Sequence, residues 1–199
     1  MSHFNPNKVN LMNCFCFGNA HLNDRYSLTL DLNPTNSIGK EAIVIMKNPA
    51  STAKANVFHR VSFQNLCDVD RTTSRVINVI HMMGYDKLIT LNIFPYYDNN
   101  PKVLNSIYTN LNMSPSFNNN LNEIQNILQT YSNADIICAW GHKSNMSRNL
   151  FDSAILQVLP LINGRNKFEY IKNNPLQNRL RPLPNIISTP IYPLHPQRW

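Results

Sequence analysis

Apolar positions along this chain recur with two periods, and the switching between them outlines an architecture. Tyr26 to Leu32 alternates apolar and polar residues, the pattern of a half-buried edge strand or an added antiparallel one. Ala42 to Met46, Leu88 to Ile93 and Asp135 to Ala139 are nearly continuous apolar runs, as strands covered on both faces require. Asn185 to Ser188 reads as a short last strand before a proline-rich tail. Between these runs the period lengthens to that of a helix. Val76, Val79, Ile80 and Met83 share one face after a cap at Asp70 or Thr72, and Gly84 ends the helix. Asn100-Pro101 opens a second helix, with Pro at its first position. Leu121, Ile124, Ile127 and Leu128 stripe a third, and Phe151, Ile155, Val158 and Leu159 a fourth over Arg148 to Leu161.

Alternating strands and helices predict a single-domain α/β three-layer sandwich, with a mostly parallel sheet of about four strands flanked by helices. Residues 1–24 are Asn-rich and aperiodic, an irregular lead-in to one domain over 25–199. Two segments read as loops: a long one from Asn48 to Asp70, and a polar, basic, mobile one from Asn163 to Arg181.

Four motifs fall where a predicted strand gives way to a loop: KNPAST (Lys47 to Thr52), IFP after Asn92, WGH (Trp140 to His142) and IYPLHP (Ile191 to Pro196). Open α/β sheets bind ligands at the carboxyl ends of their strands. The four together predict one composite pocket containing Asn48, Asn92, His142 and His195. Each also has a structural reading. Asn48-Pro49 suits an Asx turn, Asn92 a loop cap, Trp140 the core, and His195 an exposed position among prolines.

Composition adds a direction. The formal net charge is +7 over 199 residues, and the last third carries most of the excess. Lys143, Arg148, Arg165, Lys167, Arg179, Arg181 and Arg198 form a candidate nucleic-acid-binding set, because such a field favours polyanions or nucleotides. An ordinary solvated basic surface fits the same residues. Four cysteines and six histidines show no usual ligand spacing, so no metal and no cofactor is assigned. No apolar stretch spans a bilayer and the N-terminus lacks a signal-peptide pattern, so a cytoplasmic protein without membrane contact is expected. Ser51 and Thr52 carry hydroxyls, but no nucleophile elbow or ordered acid and base accompanies them.

In order, MKNPASTA (Met46 to Ala53), DRTTSR (Asp70 to Arg75), GYDKLITLNIF (Gly84 to Phe94), AWG (Ala139 to Gly141) and PLHP (Pro193 to Pro196) resemble the motifs of a bacterial and phage family catalogued as domain of unknown function 1643. A more distant resemblance is to uracil-DNA glycosylases. These place a G-Q-D-P-Y-H or G-I-N-P motif, an L-L-N strand, a W-G and an H-P-S-P in that order; here stand KNP, TLN, AWG and LHP. The resemblance implies a uracil-DNA-glycosylase-like fold and a set of roles. Asn48 would hold the attacking water, Asn92 read a pyrimidine edge, and His195 stabilise charge on the departing base. Phe94 or Trp140 would stack on the base. Apart from the resemblance, Pro49, Ser51 and Thr52 in the first motif are candidate substrate-binding residues, and His142 beside Lys143 is a candidate phosphate contact.

Two departures stand out: no Asp lies in the first motif, and the chain reads Gln197-Arg198-Trp199 after the His-Pro. An Asn orients water but cannot take its proton. The expectation is a base-recognising protein acting on DNA or a nucleotide, a DNA glycosylase of modified pyrimidines. The alternative is a non-catalytic nucleic-acid or nucleotide binder using the same pocket.

Overall fold

The computed structural model describes residues 14–19, 24–32, 39–49, 61–62, 71–96, 98, 101–142, 146–174 and 179–199. Its strands are β1 (Cys14–Asn19), β2 (Asp24–Asp31), β3 (Glu41–Met46), β4 (Val61–Ser62), β5 (Lys87–Asn92), β6 (Asp135–Cys138), β7 (Lys167–Tyr170) and β8 (Leu180–Pro182). The helices are α1 (Arg71–Met82), α2 (Pro101–Ile107), α3 (Pro115–Thr130) and α4 (Arg148–Ile162), with 3-10 turns at Leu111–Met113 and Pro196–Arg198.

The strands form one sheet in the order β4-β1-β2-β5-β3-β6-β7-β8. Four of its pairings are antiparallel and three are parallel. This corrects the expectation of about four mostly parallel strands: the sheet is mixed and eight-stranded among the described residues. The strands β5, β3, β6 and β7 run in one direction, and antiparallel strands extend the sheet on both sides.

Three further expectations are corrected. Within the supposed irregular lead-in, Cys14–Asn19 is a strand, because its backbone pairs with β2 along its length. The supposed mobile loop over 163–181 contains β7 and β8, which pair with each other. Their polarity hid them, since Arg181 and Glu169 face each other across that pair as an ion pair. Asn185 to Ser188 is not a strand, because β7 already occupies the place beside β6. Ile187 is instead fixed by its N–H donating to Asn163 Oδ1 at 3.0 Å. Of the long segment 48–70, Val61–Ser62 forms β4, while residues 50–60 and 63–70 lie outside the described residues.

Helices cover both faces. Ile43, Ile45, Ile89, Leu91, Ile136 and Cys138 point to one side, where they pack with buried residues of α2, α3 and α4. Ala42, Val44, Met46, Leu88 and Ile137 point to the other, against Val76, Ile77 and Ile80 of α1. The two-residue period of β3 thus divides its side chains between two cores. From β3 the chain passes through α1 to β5 on one side, then through α2 and α3 to β6 on the other. This reversal of strand order at β3 creates a crevice at the carboxyl ends of the strands.

Candidate functional site

A cavity of about 510 Å³ lies in that crevice. Its wall comes from the end of β3 (Met46, Lys47, Asn48), the first turn of α1 (Thr72, Thr73), Asp98, the segment after β6 (Gly141, His142), Glu169 of β7, and Tyr192 to Arg198. The sheet ladder continues past the strand ends and holds this wall. Phe94 N–H donates to the Lys47 carbonyl and Ile93 N–H to that of Met46, both at 2.8 Å. Ala139 N–H donates to the Ile45 carbonyl at the same distance.

Asn48 is anchored through its amide nitrogen, which donates to the Asp98 carbonyl at 2.8 Å and to the Pro49 carbonyl at 3.3 Å. Two carbonyl partners identify that atom as the NH2, which leaves Oδ1 as the acceptor for a ligand or water. His195 receives the Gln197 N–H on Nδ1 at 3.2 Å. Its neutral form therefore carries the proton on Nε2. Burial, with Lys47 and Arg198 adding positive charge, pushes its pKa down to about 4, so the ring is a neutral donor at physiological pH. His142 is exposed at the mouth, stacked on Tyr192 with ring centroids 5.5 Å apart.

Lys47 was not expected. Its residue is 5% exposed, its Nζ donates to the His142 carbonyl, and the ammonium lies 5.1 Å from the centre of the Phe151 ring. Burial pulls its pKa down to about 8. The signal for it was the alternation of β3: after Ile43 and Ile45, position 47 continues toward the α4 side. Thr72 and Thr73 bring the positive end of the α1 dipole to the same cavity. Glu169 adds a carboxylate, bound by Arg181 Nε at 2.8 Å.

Other expected site residues lie elsewhere. Trp140 is fully buried and donates Nε1–H to the Ile191 carbonyl at 2.8 Å; it is core, not a stacking platform. Phe94 is equally buried, among Tyr108, Phe117 and Phe151. Pro49 is buried behind Asn48 and is not in the cavity wall. Asn92 is 0% exposed and outside the wall, paired in register with Met46. Neither atom of its side-chain amide has a hydrogen-bond partner among the described residues. Its carbonyl receives the buried Asn120 amide at 2.8 Å. Trp199 stacks on Tyr170 at 4.7 Å and is buried. Ser51, Thr52 and Lys143 lie outside the described residues.

Of the basic set, Arg165, Lys167 and Arg179 are held by the fold, while Arg148, Arg181 and Arg198 are exposed. Arg165 donates to the Leu128 and Tyr131 carbonyls at 2.9 Å, capping the end of α3. Lys167 is buried with Nζ on the Asn185 carbonyl at 2.6 Å. Arg179 holds the Asn174 carbonyl and the Tyr170 hydroxyl at 2.9 and 3.0 Å. Arg181 pairs with Glu169, and Arg148 with Asp152 one helical turn on. Arg198 is the member of the set that lines the cavity.

Fold and site together define an α/β protein with a polar cavity of mixed charge at the carboxyl ends of its central parallel strands. The chain belongs to the family described as protein of unknown function (DUF1643), whose sequence model matches residues 25–183. No curated protein and no solved structure gives a significant match. No helix of the described residues is long and apolar enough to cross a membrane, and no cluster of three metal-ligating side chains occurs among them.

Proposed function

We propose that the protein recognises a base of DNA or of a nucleotide in this cavity and hydrolyses its N-glycosidic bond, as a uracil-DNA-glycosylase-like domain. The observation that carries the reading is Asn92. A buried amide with both donor and acceptor unsatisfied costs about 1–3 kcal/mol per group, which needs a reason. A pyrimidine edge offers a complementary acceptor and donor side by side. Because Asn92 is covered, a base would reach it only when the layer over it opens.

The rest of the cavity suits the reaction. Cleavage develops cationic charge on the sugar and anionic charge on the base. The open Oδ1 of Asn48 suits a water on the sugar side, and the neutral Nε2–H of His195 suits the base oxygen. Asn48, Gly141 and His195, one residue from each of KNP, AWG and LHP, line one cavity, and the three motifs follow the chain order of the glycosylase motifs, which supports the reading.

A second reading, a non-catalytic nucleotide binder, is favoured by one specific feature: the first motif supplies no carboxylate to take a proton from water. The test is base release, read by mass spectrometry, from single- and double-stranded DNA carrying uracil, hydroxymethyl or glucosylated pyrimidines. Release that disappears in His195→Ala supports hydrolysis. Silence across the panel, with a thermal shift by nucleotides that Asn92→Ala abolishes, selects the binder.

A further inference from the structure

We infer that Lys47 is the nucleophile of this site, an amine that forms a covalent iminium with the sugar carbon of the cleaved glycoside. The inference rests on the glycosidic reading above and deepens it, because it supplies what the first motif lacks. A water held by an Asn has no base to deprotonate it, whereas an amine attacks through its own lone pair.

The geometry favours an amine held for chemistry. Lys47 is the last inward position of the central strand, with its backbone tied to Phe94 N–H at 2.8 Å, so the Cα cannot drift. Its side chain passes the Phe151 ring and ends in the cavity wall beside Asn48 and His195. The bond to the His142 carbonyl fixes the direction of the nitrogen. The titratable groups around the cavity are His142, His195, Tyr192, Asp98, Glu169 and Arg198. His195 is neutral, and Glu169 is bound by Arg181. Burial lowers the lysine to about 8, which leaves roughly a tenth of it as free amine at pH 7.

The steps balance. The Nζ lone pair forms a bond to C1′, and the C1′–base bond breaks with its electrons on the base, which accepts the His195 Nε2–H hydrogen bond and takes a proton from solvent. One proton of the new C1′-bound ammonium passes to the ring oxygen as the C1′–O4′ bond opens, leaving a protonated C1′=N double bond. Water at the Asn48 Oδ1 then adds to C1′. The C–N bond breaks, the sugar leaves as its aldehyde, and Lys47 is returned as the ammonium.

The experiment uses the full chain and a single-stranded oligonucleotide carrying one abasic site, whose C1′ aldehyde bypasses base release. Sodium borohydride reduces the iminium to a stable amine, and peptide mapping by mass spectrometry locates it. The expected result is an adduct on Lys47 that falls by about tenfold or more in Lys47→Arg and Lys47→Gln. The arginine variant keeps the cation, and a melting curve reports its folding. An adduct on another residue, or an equal yield from Lys47→Arg, overturns the inference. Base release from the intact substrate panel with no adduct on the abasic probe overturns it and leaves the glycosidic reading standing. A Lys47 adduct without any base release supports the amine and sinks the glycosidic reading.

Discussion

Gly141 approaches His195 so closely that a Cβ at position 141 would lie 2.7 Å from the histidine Cβ. Gly141 also has φ of +69°, a region that L residues adopt with strain. Two independent constraints therefore demand glycine after Trp140, and both act on the placement of His195.

Gly141→Ala should cost about 2–4 kcal/mol, from left-handed strain plus the clash. Gly84 is the control, since its φ is +80° but nothing lies within 4 Å of a built Cβ. Gly84→Ala should cost only about 1–2 kcal/mol. Urea unfolding of both variants measures the difference, which is the price of crowding His195. Equal losses would mean that the contact is readily relieved.

Replacing Asn92 by the near-isosteric Leu should stabilise the unliganded protein by about 1–3 kcal/mol, because the variant buries no orphan donor or acceptor. The same variant should lose the thermal shift given by nucleotides or base-bearing DNA. A destabilised Asn92→Leu would show that the amide has a structural use.

The pH dependence has a definite sign at three groups. His195 titrates at about 4 in the folded state against 6.5 for the free side chain, so the unfolded chain binds more protons between these values. Its contribution to stability is fully present above 6.5 and is lost as pH falls toward 4. His195→Gln should flatten that part of the profile in denaturant titrations at stepped pH.

Asp24 works in the opposite sense. Burial raises its carboxyl from 3.8 to about 6, against hydrogen bonds from Ser116 and Tyr26 that lower it. The folded state holds the extra proton, so stability falls as pH rises from 3.8 through 6. Asp24→Asn should remove that fall and be more stable than wild type at pH 7 by on the order of 1–2 kcal/mol. Equal stability at pH 7 would place the unfavourable charge elsewhere.

Lys47 gives the alkaline limb. Its pKa of about 8 lies below the 10.5 of an unburied lysine, so the unfolded chain binds more protons in that window. Stability should rise with pH from 8 to 10.5, and Lys47→Met should abolish the rise. The same chemical denaturation series, extended to alkaline buffers, checks it.

What the sequence disclosed, and what it did not, follows from local against non-local information. The helix at Pro115–Thr130 has a Ser114 side chain accepting from Phe117 N–H and a Pro at its start, both readable from neighbouring residues. The β3, β5 and β6 runs were equally legible, because strands covered on both faces are apolar throughout. By contrast, β7 carries Lys167 and Glu169, whose partners, the Asn185 carbonyl and Arg181, are fixed only by the fold. Asn185 to Ser188 was apolar enough to be a strand but had no neighbour to pair with. At the site, Asn48 was found through a motif that ends β3 and His195 through one expected after a strand that does not form, and both line the cavity. Trp140 and Phe94 sit in equally suggestive motifs but face the α4 core, a distinction that depends on which side of β6 and β5 each residue leaves. The basic run divides for a related reason: Arg165 and Arg179 are held by main-chain carbonyls that only the fold supplies, while Arg148, Arg181 and Arg198 stay exposed.

The cavity wall draws on Lys47, Thr72, Gly141 and His195, segments that adjoin in space but are scattered through the sequence. No fragment of the chain can bring them together, so the binding site exists only where the whole sheet is registered. A ligand there acts as a staple across the fold. Its stabilisation should therefore register in the slowest-exchanging amides of the central strands, such as those of Ile45 and Ala139, as strongly as at the cavity itself. Occupancy would then be legible as the lifetime of the native state rather than as the stiffening of a loop.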